Sequence, residues 1–224
     1  MENTLERSKV DFISKVMGNM GLGLFITFVT AFFVSQSDAM LNLIYGSGFT
    51  ILLLFVAEIA LVVYITRRIG SMSFSQARLY FFAYSALNGV TLSSIFIAYN
   101  IASISTVFLI AALMFVISGL IGISIKKDLS AMGHFFMLGV IGLIVLSVVS
   151  IFIPGLNFIV ALIGVVVFSG LTAYDMQKIK AIHYNAYNMS EEIVSKYSII
   201  GALTLYLDFI NLFLFLLRIF GKRR

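Results

Sequence analysis

The chain reads as an all-α integral membrane protein with seven transmembrane helices, and three observations carry that reading. Of its 224 residues, 61% are hydrophobic and only 11% charged, with a mean hydropathy of +1.07, whereas about a quarter of the residues in a soluble domain are charged. Charged residues gather in short clusters between long apolar runs, each near the length of about 20 residues that crosses a hydrocarbon core. The basic clusters recur on alternate loops, as the positive-inside rule requires. Seven spans nearly consume the chain, which predicts a single polytopic membrane domain over residues 1–224 with its activity inside the bundle.

The first span covers residues 16–34. Its apolar run exceeds the roughly 7 to 15 residues of a signal-peptide core, so it reads as a retained helix. The second covers 49–66 and is interrupted only by Glu58. From Leu79 to Ile125 there are 47 residues without Asp, Glu, Lys or Arg, too many for one helix and right for two. These are spans 79–99 and 104–125, with the turn at Asn100 to Ser103. Spans 130–153 and 158–177 follow, divided at Ile153-Pro154-Gly155, where the chain's one proline adjoins a glycine. The seventh span is 197–217. Trp is absent, so tyrosines such as Tyr45, Tyr64, Tyr80, Tyr99 and Tyr174 must supply the interfacial aromatic belt.

Loop charges set the orientation. Arg7, Lys9 and Lys15 precede span one, Arg67, Arg68 and Arg78 lie between spans two and three, Lys126 and Lys127 between four and five, and Lys178, Lys180 and Lys196 between six and seven. The intervening loops carry no Lys or Arg, which predicts a cytoplasmic N-terminus. Seven full spans then put the basic tail Gly221-Lys222-Arg223-Arg224 outside, against the same rule. Either the tail is a tolerated exception, which is the favoured reading, or the last segment is re-entrant. The net charge of +5 is accounted for by these clusters, and without a basic face interleaved with aromatics it points to the lipid bilayer rather than to nucleic acid. The absence of cysteine excludes disulfides, thiol catalysis and thiolate metal sites within the chain.

Three acids stand in or beside the apolar runs: Glu58, Asp175 and Asp208. A carboxylate at bilayer depth costs roughly 2.5 to 3.5 kcal/mol on insertion scales, so such residues are paired, hydrated or functional. Asp208 is the one charged residue between Lys196 and Arg218 and too deep to reach either surface. Its structural alternative is a hydrogen bond to a neighbouring helix, supported by Asn211 one turn on. Asp175 closes the sixth span, where it serves either as an ion-handling carboxylate or as an interfacial acid held by Lys178 at i+3. Glu58 sits nine residues before Arg67, too deep for easy escape, and either shares a cavity with the other acids or makes an intrahelical or interhelical hydrogen bond as a neutral acid. Carboxyl groups facing one cavity repel when all are ionised and can share a proton, and when deprotonated they bind hard divalent cations.

The remaining polar residues read as structural. His134 and His183 lie near span boundaries with no second ligand at helical spacing, so neither reads as a metal ligand. Asn188-Met189-Ser190 matches a glycosylation sequon but falls on the cytoplasmic side of the charge pattern and is discarded. Ser118 with Gly122 and Ser169 with Ala173 are small-residue pairs at i+4, which mark close helix packing. No metalloprotease His-Glu helix, activated serine or phosphate-binding loop occurs, so an enzyme is not expected. An intramembrane aspartyl protease is disfavoured because the second aspartate lacks a glycine-rich setting.

The chain resembles the Bax inhibitor-1 family, also called the transmembrane Bax inhibitor motif family. The resemblance runs through Phe12-Ile13-Ser14-Lys15-Val16 with Gly21-Leu22-Gly23-Leu24, Asn88-Gly89-Val90-Thr91-Leu92-Ser93-Ser94-Ile95-Phe96, and Lys127-Asp128-Leu129-Ser130-Ala131-Met132-Gly133. It continues in Gly170-Leu171-Thr172-Ala173-Tyr174-Asp175 and Leu205-Tyr206-Leu207-Asp208-Phe209-Ile210-Asn211-Leu212-Phe213, and so covers essentially the whole chain. It implies a central last helix wrapped by two three-helix layers. It also implies an aspartate pair, Asp175 and Asp208, that acts as a pH-sensitive latch and calcium contact over a calcium-conducting pore. Glu58 would line the path, and Arg67 or Arg68 would engage the pair when closed.

The function so implied is a pH-sensitive calcium-leak channel with no bound cofactor, calcium being the permeant ion and protons the gating ligand. The alternative, also carried by the resemblance, is a membrane regulator that binds a membrane-anchored ATP-dependent protease or a stress-response partner without ion flux. A proton-coupled transporter of a small solute is a third reading, for which no polar cluster beyond the acids is evident. Compact loops and the lack of a sorting signature point to a bacterial inner membrane.

Overall fold

A computed structural model describes residues 2–186 and 189–224; Asn188 of the sequon lies outside the described residues. The elements are α1 (Glu2–Ser35), α2 (Asp38–Tyr45), α3 (Gly48–Arg68) with a 3-10 turn at Ile69–Ser71, α4 (Phe74–Leu92), α5 (Ser94–Ala98), α6 (Ile101–Ser124), α7 (Ser130–Val149), α8 (Leu156–Ala186) and α9 (Glu191–Phe220). Among the described residues there is no strand, and seven helical segments are long and apolar enough to cross a membrane. All-helical structure is what a bilayer permits, because each backbone N–H and C=O must find its partner without water.

The helices depart from the predicted spans in ways with local causes. The loop between the first two spans holds a helix, α2, whose start is fixed by Ser37 accepting from Met40 N. The third span is not continuous: α4 stops at Leu92 and α5 resumes at Ser94. At the break Ser93 Oγ donates to Val90 O at 2.8 Å, while the Tyr45 hydroxyl donates to Thr91 O at 2.9 Å and accepts from Ser94 N at 3.1 Å. The groups released by the helix are thus satisfied without water. Tyr45, assigned to the aromatic belt, has this more specific task.

The turn expected at Asn100 to Ser103 is shorter, because Asn100 Oδ1 accepts from Ser103 N at 2.7 Å and starts α6 at Ile101. The Pro154-Gly155 divide is a turn as expected, with Gly155 at φ +83°, a conformation that costs a side-chain-bearing residue about 1 kcal/mol or more. α4 opens with a full capping box between Ser73 and Gln76.

The helices group into two compact units. The first contains the residues up to Ala98, Ile182–Leu203 and Arg224. In it α1 packs on α4: a Cβ on Gly89 would stand 2.6 Å from Thr27 O, so only glycine allows that approach, and Thr27 Oγ1 lies 2.8 Å from Ser85 O. His183 is fully buried, not an exposed boundary residue, with its ring 5.5 Å from that of Phe12 and Nε2 3.0 Å from Ser8 Oγ.

The second unit contains Tyr99–Ala181 and Thr204–Arg223. Lipid tails are as apolar as leucine, so helices in a bilayer associate through close packing of small residues. Gly122 of α6 lies against the backbone of Ala173 on α8, with no room for a Cβ. Both belong to the small-residue pairs singled out in the sequence. Phe209 of α9 packs edge-on against Phe108 and Phe115 of α6, with centroids 5.2 and 5.6 Å apart. The C-terminal tail lies beside the start of α6: Asn100 N donates to Lys222 O at 3.3 Å and Lys222 N to Ser103 Oγ at 2.9 Å. Continuous α9 therefore ends at the level where α6 begins, which favours a full last span over a re-entrant one. The helical segment Glu191–Phe220 is 72% buried over its most apolar window, against 39% at most for the other six.

Candidate functional site

α8 and α9 each carry one of the singled-out aspartates. In the second unit they meet: the side chains of Asp175 and Asp208 face one another carboxyl to carboxyl within hydrogen-bonding reach, both buried, at 8% and 5% exposure. An ionised carboxylate only accepts hydrogen bonds. A hydrogen bond between two carboxyl groups therefore requires at least one of them to carry a proton. Asp208 Oδ2 is buried with no hydrogen-bond partner among the described residues, an uncommon condition for a polar atom and one that concentrates at functional positions.

Three sequence-based expectations about these residues need correction. Asp175 does not close a helix, because α8 runs on for about three turns to Ala186. The acid therefore sits well inside its helix. Lys178 acts on Asp175 electrostatically but is exposed and forms no ion pair with it. Asn211 does not support Asp208; its Nδ2 donates to Leu207 O of its own helix at 2.8 Å. In an apolar medium that back-bond satisfies one amide hydrogen locally, which leaves the aspartate dependent on its partner across the helices.

Glu58 belongs to the first unit. It lies midway along α3, whose buried residues are Glu58 and Ile65 alone, so the acid faces protein while the other residues of the helix are exposed or partly exposed. Thr91 Oγ1 donates to Glu58 Oε1 at 2.6 Å and Asn88 Nδ2 to Oε2 at 3.5 Å. Sequence reasoning missed these two partners, which stand three residues apart on one face of α4. Arg67 and Arg68 are exposed in the last turn of α3, and neither forms an ion pair with a carboxylate among the described residues. Of the described His, Asp and Glu residues, no three converge as a metal-binding group.

Outside the spans, Asp128 precedes α7 and accepts from Ser130 N at 2.9 Å and Ser130 Oγ at 2.7 Å. These hydrogen bonds hold its carboxyl below the usual range, the side-chain bond being the larger cause.

The sequence pattern of the family described as "Inhibitor of apoptosis-promoting Bax1" matches residues 9–224. The chain is 43% identical over 222 residues to the inner membrane protein YbhL of Escherichia coli (strain K12), covering 95% of this chain and 92% of that protein. It is 40% identical over 215 residues to a protein of Rickettsia prowazekii (strain Madrid E), at 95% and 90% coverage, and 38% identical over 218 residues to one of Borreliella burgdorferi, at 96% and 94%. With its buried aspartate pair and its helices of spanning length, the chain is an integral membrane protein of the Bax inhibitor family.

Proposed function

We propose that the protein is a pH-sensitive calcium leak of the bacterial inner membrane, closed while Asp175 and Asp208 share a proton. The observation that carries the proposal is the buried carboxyl–carboxyl contact between α8 and α9. Loss of the proton leaves two carboxylates; at a separation of about 4 Å and an effective dielectric constant near 20 they repel by about 4 kcal/mol. That is enough to shift an equilibrium between two helix arrangements by several hundredfold or more, on the scale of about 1.4 kcal/mol per factor of ten. The freed carboxylates supply hard oxygen ligands to a passing calcium ion, which takes about six to eight, the rest coming from water.

The loop charges support a cytoplasmic N-terminus, and the relative named an inner membrane protein supports that location. No chemical step is assigned to the pair; it moves a proton and a cation. In this reading Arg67 or Arg68 engages the pair when the path is closed. Calcium entry into proteoliposomes at mildly alkaline pH tests the proposal: flux above that of empty vesicles is expected. Silent vesicles containing folded, inserted protein would favour the alternative, a regulator of a membrane-anchored ATP-dependent protease.

A further inference from the structure

The loop between α6 and α7 carries Lys126-Lys127-Asp128, which takes no part in the aspartate pair. It spans only residues 125–129 between two helices of spanning length, so it stays at the headgroup level of the membrane. One side chain of α8 ties it down: Gln177 Nε2 donates to Ile125 O at 3.3 Å and to Lys127 O at 3.0 Å, and Gln177 Oε1 accepts from Leu129 N at 2.9 Å. About one turn on, Lys180 Nζ donates to Ile123 O at 3.4 Å. The amide thereby fixes the backbone of Lys126 and Lys127 against the stretch of α8 that bears Lys178, and all three lysines are exposed. Against them stands one carboxylate, Asp128, whose Oδ1 already accepts from Ser130 N and Oγ. Directly after the loop, α7 exposes Met132 and Phe135, at 48% and 69%. Ammonium groups at the headgroup level next to exposed apolar side chains match an amphiphile with an anionic head and acyl tails better than a free anion.

We propose that the α6–α7 loop and the Lys178 stretch of α8, held together by Gln177, form a binding site for the phosphate headgroup of an anionic phospholipid. Lysine is a point charge on a flexible stem, so only a fixed backbone turns several lysines into a site rather than a diffuse attraction. The Gln177 clamp is what sets this loop apart from the general basic bias of cytoplasmic loops. The site requires no calcium flux.

The test titrates full-length protein in zwitterionic micelles with phosphatidylglycerol or with phosphatidylcholine of the same acyl chains, and counts bound lipid by native mass spectrometry. Saturable binding of phosphatidylglycerol, about fivefold or more tighter than that of phosphatidylcholine, is expected. Lys127→Gln should weaken it about fivefold, the effect of one lysine at an anionic surface. Gln177→Met removes the clamp without changing any charge and should weaken binding about threefold or more. Lys196→Gln, an equal loss of charge in the first unit, should stay within about twofold of wild type. Should Gln177→Met fail to fold, Gln177→Asn, which keeps the amide and shortens its reach, is read in the same way. Equal binding of the two lipids, Gln177→Met binding as tightly as wild type, or Lys196→Gln as impaired as Lys127→Gln would each overturn the proposal. So would displacement of the lipid by equimolar inorganic phosphate, which would mark a site for the free anion.

Discussion

Asp175 of α8 and Asp208 of α9 point their carboxyl groups at one another inside the second unit, and Asp208 Oδ2 has no hydrogen-bond partner among the described residues. In the proposed latch the two helices are joined at this contact by a shared, exchangeable proton. Replacing Asp208 by leucine, which is close to it in length but apolar, removes the repulsion but leaves the buried Asp175 carboxyl without its partner. The expected outcome is a loss of about 1 to 3 kcal/mol of stability in unfolding titrations, with calcium flux insensitive to pH.

Gly122 lies against the backbone of Ala173. Gly122→Ala in an exposed helix would gain about 0.5 to 1 kcal/mol; here overpacking is expected to reverse the sign and cost about 1 to 3 kcal/mol. Unfolding titrations in mixed micelles measure the difference.

Tyr45→Phe removes the hydroxyl that serves Thr91 O and Ser94 N at the α4–α5 break. Leaving those groups unsatisfied should cost about 1 to 3 kcal/mol. Hydrogen exchange should rise at residues 91–96 and stay unchanged in α7.

These elements differ in how far they can be read from the chain itself. Asp208 and Glu58 announce themselves because a charge in an apolar run has few explanations, and Pro154-Gly155 is a turn signal wherever it occurs. The break at Ser93 is invisible in sequence: no Pro or Gly marks it, and its stability comes from Tyr45 on another helix. Thr91 and Asn88 are hidden for the same reason, since polar uncharged residues are common in spanning helices and only tertiary packing selects their partners. Asn211 misleads because the nearest acceptor, Leu207 O, lies in its own helix. α8 runs past the expected span end at 177 because its charged last turns fail the hydropathy test while still forming helix.

The carboxyl of Asp128 is held low by Ser130 at the start of α7. A depressed folded-state value means that its stabilisation is full above the unfolded value, about 3.9, and is lost as pH falls through the folded value. The difference in Tm between wild type and Asp128→Ala should be constant above about pH 4 and shrink below it.

Because the chain has no cysteine, single replacements report sidedness cleanly. Asn100→Cys and Lys222→Cys, whose backbones are hydrogen-bonded, should label from the same side of intact cells, and Lys127→Cys from the other. Opposite labelling of positions 100 and 222 would contradict the full last span.

The most direct test of the leak is calcium flux into proteoliposomes as a function of pH, comparing wild type with Asp175→Asn and Asp208→Asn. Wild-type flux is expected to rise with pH as the shared proton leaves. Each asparagine variant is expected to lose that dependence, since one remaining carboxyl cannot form a repelling pair. An Asp208→Asn protein that retains the full pH profile would contradict the latch, whatever its absolute flux.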